Sequence, residues 1–379
     1  METIISFVRI FEYIYVGTKV IENRLGEKHT FLRRYFYAMA SATLSEERKQ
    51  AHAFLASRGI EVDVGAFERD GCCVIRNFAS VEECDGMRAA MEILISGWDP
   101  NEIHTFRTDE KQEACQGSSD YFLDSANQIG FFLEPAATDE ESEKLKSGIT
   151  KHEGLNKVGH GLHMRDPTFK QYSQSSKVAA LVHALGWVDP VLPQSMYLFK
   201  QPRIGGEVTS HQDSTFLFTE PRQSCLGLWL ALEKADTKNG CVWGRPGSHT
   251  EPVRRAFCRN PEWFTEGKRD VPQMIFRTLD SDSIEQSCPW EGKMPEGEDQ
   301  EDAVKKAGFV PLTCEKGDLV LIHGQVDHLS LANTSGASRH TFQLHLVEGP
   351  RQGVQWCKRN WMQYPPGETF PELNMKYNH

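Results

Sequence analysis

The chain has 379 residues, 39% apolar and 10% aromatic, with a net charge of −11. That apolar content is that of a folded protein, and the length calls for one large elaborated domain or two small ones rather than one simple core. No dense basic block occurs, which argues against nucleic acid as a partner, and the ten cysteines include no Cys-x-x-Cys pair, which argues against a zinc ribbon or a thioredoxin-like motif.

Residues 1–44 read as an N-terminal extension. The run "IISFVRIFEYIYVGTKVI" is rich in aromatic and β-branched residues, but Arg9 and Glu12 interrupt it and it is too short to span a bilayer. Glu2, Glu12, Glu22 and Glu27 argue against a transit peptide. Phe7, Phe11 and Ile14 fall on one helical face, so an appended amphipathic helix is expected, and membrane contact is confined to residues 1–38. The irregular cysteine spacing suits reduced, mostly buried thiols of an intracellular protein, and a cytoplasmic setting is expected rather than a peroxisomal or membrane-associated one. The chain ends in Tyr-Asn-His, which is not a Ser-Lys-Leu address.

Residues 45–379 read as a single domain. Residues 45–58, rich in Glu, Lys and Ala, predict a helix. "FERDGCCVIRNFAS" reads as a helix end, a turn at Asp70-Gly71 and a strand. Ser80 and Glu83 form a capping box that opens a second helix, on which Met87, Met91 and Leu94 recur as core positions. From about residue 120 the text turns to strand-like runs: "DYFLDSANQIGFFLE", "KVGHGLHM", "SMYLFKQP", "CLGLWLALEKA", "GCVWGRPGSH", "GDLVLIHGQ" and "HTFQLHLVE". One helix, "SSKVAALVHALGW", breaks them. Many short strands after a helical start predict a mainly β fold with flanking helices, a jelly roll. Residues 259–308 are acidic, contain Pro and Gly, and are poor in strand pattern; they read as an insertion on the rim, placed to act as a lid.

The chemistry centres on "SHQDS". His211 and Asp213 lie two residues apart, and on a strand such positions share a face. The same pattern recurs at His249-Thr-Glu251, so alone it is weak evidence. A buried imidazole and carboxylate side by side are costly without a partner. Two His and one carboxylate on one face suit non-haem Fe(II), with coordination positions left open. A second histidine must then come from late in the chain, where His323, His328, His340 and His345 are available. His328 has Arg339 eleven residues on, with "NTSGAS" reading as the turn of a hairpin that brings the two together. Arginine's planar fork suits a carboxylate cosubstrate. His323 lacks such a cation, and its simpler role is a strand-end histidine satisfied by hydrogen bonds.

The segments "QSMYLFKQPRIGGEVTSHQDSTFLFTEP", "LGLWLALEKADTKNGCVWGRPGSHT" and "GDLVLIHGQVDHLS", over roughly residues 60–365, resemble the phytanoyl-CoA dioxygenase family. The resemblance implies a double-stranded β-helix of the cupin-like jelly-roll type, with Fe(II) held by His211, Asp213 and His328. It also implies 2-oxoglutarate as cosubstrate, with Arg339 and Ser330 on its far carboxylate and Lys157, Met196 and Trp229 as further contacts. By composition alone, Met196 and Trp229 would be core residues and Lys157 a surface lysine. The implied reaction uses O2, and ascorbate in an assay, to hydroxylate an unactivated C–H bond of a small or lipid-like molecule while releasing succinate and CO2. Retention of the Asp213 carboxylate favours hydroxylation over halogenation. A jelly-roll module that binds metal without turnover is the alternative. Gly244-Arg245 departs from the two apolar residues usual in relatives, which places the pocket wall in question. Substrate identity and oligomeric state stay open.

Overall fold

A computed structural model of the chain describes residues 46–100, 104–108, 111–117, 119–139, 144–279, 290–295 and 299–373. The expected amphipathic helix and membrane contact of the N-terminal extension lie outside the described residues. Two compact units are distinguished, Met1–Gln50 and Ala51–His379. In the first, only the start of the helix Glu46–Ala56 is described, with an ion pair between Lys49 and Glu46. All the described strands belong to the second.

In chain order the main elements of the second unit are α1 (Val64–Asp70), β1 (Cys72–Ile75), α2 (Val81–Gly97), β2 (Ile129–Leu133), β3 (Leu155–His160), α3 (Pro167–Ser173), α4 (Ser176–Ala184) and β4 (Pro190–Leu198). These are followed by β5 (Val208–His211), β6 (Leu226–Ala231), β7 (Val242–Gly244), β8 (Arg255–Arg259), β9 (Met274–Thr278) and α5 (Gln300–Lys306). The last four are β10 (Val310–Leu312), β11 (Leu319–His323), β12 (His328–Ser330) and β13 (Thr341–Glu348).

A seven-stranded sheet runs β1-β11-β6-β13-β4-β3-β2 and a four-stranded sheet runs β10-β7-β12-β5. This is the mainly β jelly roll with flanking helices that the strand pattern predicts. Alternation along β13 shows how the large sheet is used. Phe342, Leu344 and Leu346 join a core with Phe169, Tyr172, Val178 and Leu181 of α3 and α4 and with Met87 and Met91 of α2. The intervening Gln343 and His345 turn to the other face and line a cavity. Each fully buried Leu or Phe on the helix side contributes about 1.5–3 kcal/mol. The capping box forms as read: Ser80 Oγ accepts from Glu83 N at 3.2 Å and the Glu83 carboxylate accepts from Ser80 N at 2.8 Å.

Two local readings are corrected. The run from residue 120 is not strand throughout. Ser119 caps a short helix, Asp120–Asp124, by accepting from Phe122 N at 3.1 Å, and the strand begins at Ile129. The stretch 259–308, read as strand-poor, contains β9, which pairs with β8 over Arg255–Arg259. This strand buries Met274 in a cluster with Phe257 and Trp361, and Phe276 packs against the same cluster.

Candidate metal centre

His211 is the last residue of β5, and the chain leaves the strand there. Asp213 instead opens a single 3-10 turn, its carbonyl accepting from Phe216 N at 2.9 Å. The expected strand geometry for the pair therefore does not hold; the turn swings the carboxylate inward. The residue between them anchors the bend: Gln212 donates to Gln325 O at 3.0 Å and accepts from Arg254 N at 3.2 Å. His328 opens β12 and stands directly opposite His211 in the antiparallel register. No hairpin brings Arg339 to it. β12 lies in the small sheet and β13 in the large one, so the two meet by facing across the cavity.

Each of His211, Asp213 and His328 presents one donor atom, and the three lie within 4.8 Å of one another. His211 Nε2 and His328 Nε2 are both 3.6 Å from Asp213 Oδ1. His211 Nδ1 lies 2.7 Å from the Thr209 carbonyl and His328 Nδ1 lies 3.0 Å from the Val326 carbonyl. A carbonyl only accepts, so in each neutral ring the proton sits on Nδ1 and the Nε2 lone pair points at the carboxylate. Burial, reinforced by His211, pulls His328 down to about 4, which keeps that ring neutral. Burial opposes ionisation of Asp213, but His345, His328 and His211 outweigh it and hold the acid well below its usual range. Burial opposes a charge on His211, but the Asp213 carboxylate outweighs it and raises that ring above its ordinary range, so a proton on His211 stands where a cation would. Two imidazole Nε2 atoms and an anionic oxygen, with no thiolate, fit a divalent cation.

His345, one of the candidates in the sequence, takes a supporting position. Its Nε2 is 3.2 Å from Asp213 Oδ2 and 2.9 Å from the Gln343 amide nitrogen. A proton on Nε2 serves Asp213 and requires the Gln343 amide to turn its oxygen toward the ring. Oδ2 is then engaged and Oδ1 faces His211 and His328. Opposite His345 lies Gly227, where a methyl group would come within 3.2 Å of Asp213 Oδ2. His345→Ala is expected to weaken Co(II) binding about 10–100-fold without unfolding the chain, read by the cobalt absorption titration.

The same cavity, about 160 Å³, is lined by Lys157, Met196, Trp229, Ser330 and Arg339. Met196, Gln343 and Trp229 are cross-strand partners in one row. The Arg339 guanidinium sits 5.3 Å from the Trp229 ring and donates through Nη1 to Thr341 Oγ1 at 3.1 Å, while its Nε has no partner among the described residues. Burial pulls this guanidinium down to about 10. Ser330 Oγ donates to the Gly240 carbonyl at 2.9 Å.

Lys157 is no surface lysine: it is buried, 3.3 Å from the centroid of Phe106 and 3.0 Å from His160 Nε2. Ser125 Oγ gives its proton to the Phe122 carbonyl at 2.6 Å, so at 2.8 Å it accepts from His160 Nδ1. His160 Nε2 is thereby left as an acceptor for the Lys157 ammonium. Burial alone pushes that ammonium well below its ordinary range. His160 is absent from the sequence reading, and its spacing of three from Lys157 gave no signal, because on a regular strand such positions face opposite sides.

Beneath the triad lies a buried ionic network. Arg254, fully buried, pairs with Asp327 and donates from Nη2 to Glu291 at 2.6 Å. Arg245 pairs with Asp327 and with Glu251, the latter at 2.7 Å. The unusual Arg245 is thus part of the scaffold behind His328 and not of the cavity wall. His323 ends β11 and accepts from Gln325 N at 3.2 Å. Among the described residues no helix is long and apolar enough to cross a membrane.

Comparison with known proteins supplies a family. The sequence model of the phytanoyl-CoA dioxygenase family matches residues 67–341. Phytanoyl-CoA dioxygenase domain-containing protein 1 of Danio rerio is 40% identical over 314 residues, 82% of this chain and 97% of that protein. Phytanoyl-CoA dioxygenase of Arabidopsis thaliana is 38% identical over 297 residues, 78% of this chain and 91% of its own length. Among solved structures, the epimerase SnoN in complex with Fe3+, alpha ketoglutarate and nogalamycin RO aligns with a TM-score of 0.50 at 14% identity, covering 82% of this chain and 97% of SnoN. At that identity the likeness is one of fold.

Proposed function

The chain belongs to the phytanoyl-CoA dioxygenase family and is a 2-oxoglutarate-dependent dioxygenase, and on that footing we propose that it hydroxylates an unactivated C–H bond of a small or lipid-like metabolite. The observation that carries the reading is the convergence of His211 Nε2 and His328 Nε2 on Asp213 Oδ1, both at 3.6 Å, in a cavity shared with Arg339. In this proposal His211, Asp213 and His328 hold Fe(II). When bound, the iron supplies open coordination positions at which 2-oxoglutarate and O2 react to succinate, CO2 and an oxidant able to break a C–H bond.

The protein's part is positioning and exclusion. His211 and His328 keep Nε2 free because Thr209 and Val326 hold their Nδ1 protons. His345 keeps the Asp213 carboxylate turned so that one oxygen faces the metal. Arg339 presents its unpartnered Nε edge toward the far carboxylate of 2-oxoglutarate, with Ser330, Trp229, Met196 and Lys157 completing that end. Phe106, Phe122, Phe216 and Trp361 line the rest of the cavity and keep water from the reacting carbon. The described cysteines are free thiols, which agrees with work in the cytoplasm.

The test is succinate release from 2-oxoglutarate with Fe(II) and ascorbate, followed by isotope-labelled O2 incorporation into succinate and product. A metal-binding module without turnover would bind Fe(II) and release no succinate. Arg339→Lys is expected to raise the 2-oxoglutarate concentration for half-maximal turnover about 10–100-fold. A point charge replaces a two-bonded fork, and each charge-assisted hydrogen bond is worth about 1.5–3 kcal/mol. Unchanged dependence would remove Arg339 from the cosubstrate end.

A further inference from the structure

We propose that Arg255 is a binding site for an oxyanion, carboxylate or phosphate, on the primary substrate, and that the substrate's apolar segment lies between that anion and the carbon that is oxidised. The proposal deepens the dioxygenase reading and rests on it.

Arg255 opens β8 at the wall of the cavity that holds His211, Asp213 and His328. Its guanidinium is held on three sides. The Phe276 ring lies under it, 4.0 Å from Cζ to the centroid. Nε donates to Glu291 Oε1 at 2.8 Å. Gly292 closes the third side: with φ of +68°, it stands where a methyl group would come within 2.4 Å of Arg255 Nη2. That turn is tied to the metal centre, since Gly292 N donates to the carbonyl of Ser210, the neighbour of His211, at 2.8 Å.

Glu291 takes only the Nε edge of Arg255. Its other oxygen is engaged by Arg254, through Nε at 2.9 Å and Nη2 at 2.6 Å. Among the described residues no acceptor meets the two terminal nitrogens of Arg255, and its side chain keeps 18% exposure. The fork is therefore oriented, charged and open, which is the geometry that receives an oxyanion through two parallel hydrogen bonds. Arg245, Arg254 and Arg255 stand against Glu251, Asp327 and Glu291, so the network is internally neutral and an incoming anion meets no unbalanced carboxylate.

The route from fork to metal centre is apolar. Phe276 is 6.1 Å from Phe216 between ring centroids, and Phe216 is 5.9 Å from His211. A substrate anchored at Arg255 runs along Phe216 to reach the reacting position. The recognised class is an amphiphile with one oxyanion and an apolar body, narrower than the small or lipid-like molecule that the family resemblance implies.

The probes are 3-phenylpropionate, phenyl phosphate and neutral 3-phenylpropionamide, titrated into the full chain loaded with Mn(II) and 2-oxoglutarate. Paramagnetic relaxation of the phenyl protons reports both affinity and nearness to the metal. An anion is expected to bind about tenfold tighter than the amide, from one charge-assisted contact, and the two anions rank carboxylate against phosphate. Arg255→Gln is expected to erase the preference, Arg255→Lys to restore part of it, and 2-oxoglutarate binding to persist in both. Equal binding of anion and amide, no binding of either anion, or a preference that survives Arg255→Gln overturns the proposal. If wild type itself fails to bind 2-oxoglutarate, the dioxygenase reading is what has failed.

Discussion

Asp213→Ala is expected to reduce succinate release by far more than the roughly 100-fold that a supporting residue costs, with the chain still folded. The carboxylate is the one anionic donor among the three, and its loss leaves two neutral imidazoles facing a dication. It is also a buried charge whose ionised form is sustained by His345 and His328. Without metal, its removal ends the histidine contacts that outweigh its burial and leaves the His345 Nε2 proton without its carboxylate, so the apo variant is expected to be somewhat less stable than the wild type. The two effects are separable. Wild type should gain thermal stability on adding Mn(II), as any ligand of the native state confers, and Asp213→Ala should not. Turnover equal to wild type in the variant would dismiss the assignment of the site.

Arg254→Met carries the largest expected loss of stability. The side chain is fully buried, its partner Asp327 is fully buried, and Glu291 is nearly so. Removing the cation leaves Asp327 with Arg245 and Glu291 with Arg255 only, and breaking a buried pair on one side costs roughly 3–5 kcal/mol. Urea unfolding measures it. The double variant with Asp327→Asn should recover part of the loss, because the stranded charge is gone, and the coupling from that cycle isolates the pair. Arg254 also ties the segments that bear the candidate metal ligands: its backbone N–H holds Gln212, between His211 and Asp213, and its guanidinium holds Asp327, next to His328. Co(II) affinity should therefore fall along with stability, and Arg254→Lys should retain more of both. An unchanged unfolding free energy would show the network to be without energetic weight.

The residues of the candidate centre could be nominated from the sequence for a chemical reason. A histidine and a carboxylate within a buried apolar stretch are costly unless they share a cation. Adding one late histidine with an arginine at a set spacing then narrowed the choice among His323, His328, His340 and His345. How they meet was not legible. His211 and Asp213 read as strand neighbours, whereas a 3-10 turn begins at Asp213. His328 and Arg339 read as hairpin partners, whereas they belong to facing sheets.

What the amino-acid order determined by itself is what short-range physics encodes: the capping box at Ser80 and Glu83, the alternation that gives β13 one apolar and one polar face, and the choice of donor types. What only the tertiary structure decided is which distant groups share one small volume. His345 behind Asp213, His160 behind Lys157, and Arg254 between Asp327 and Glu291 each join residues that local periodicity cannot relate, since β-pairing register and the stacking of two sheets depend on the whole core.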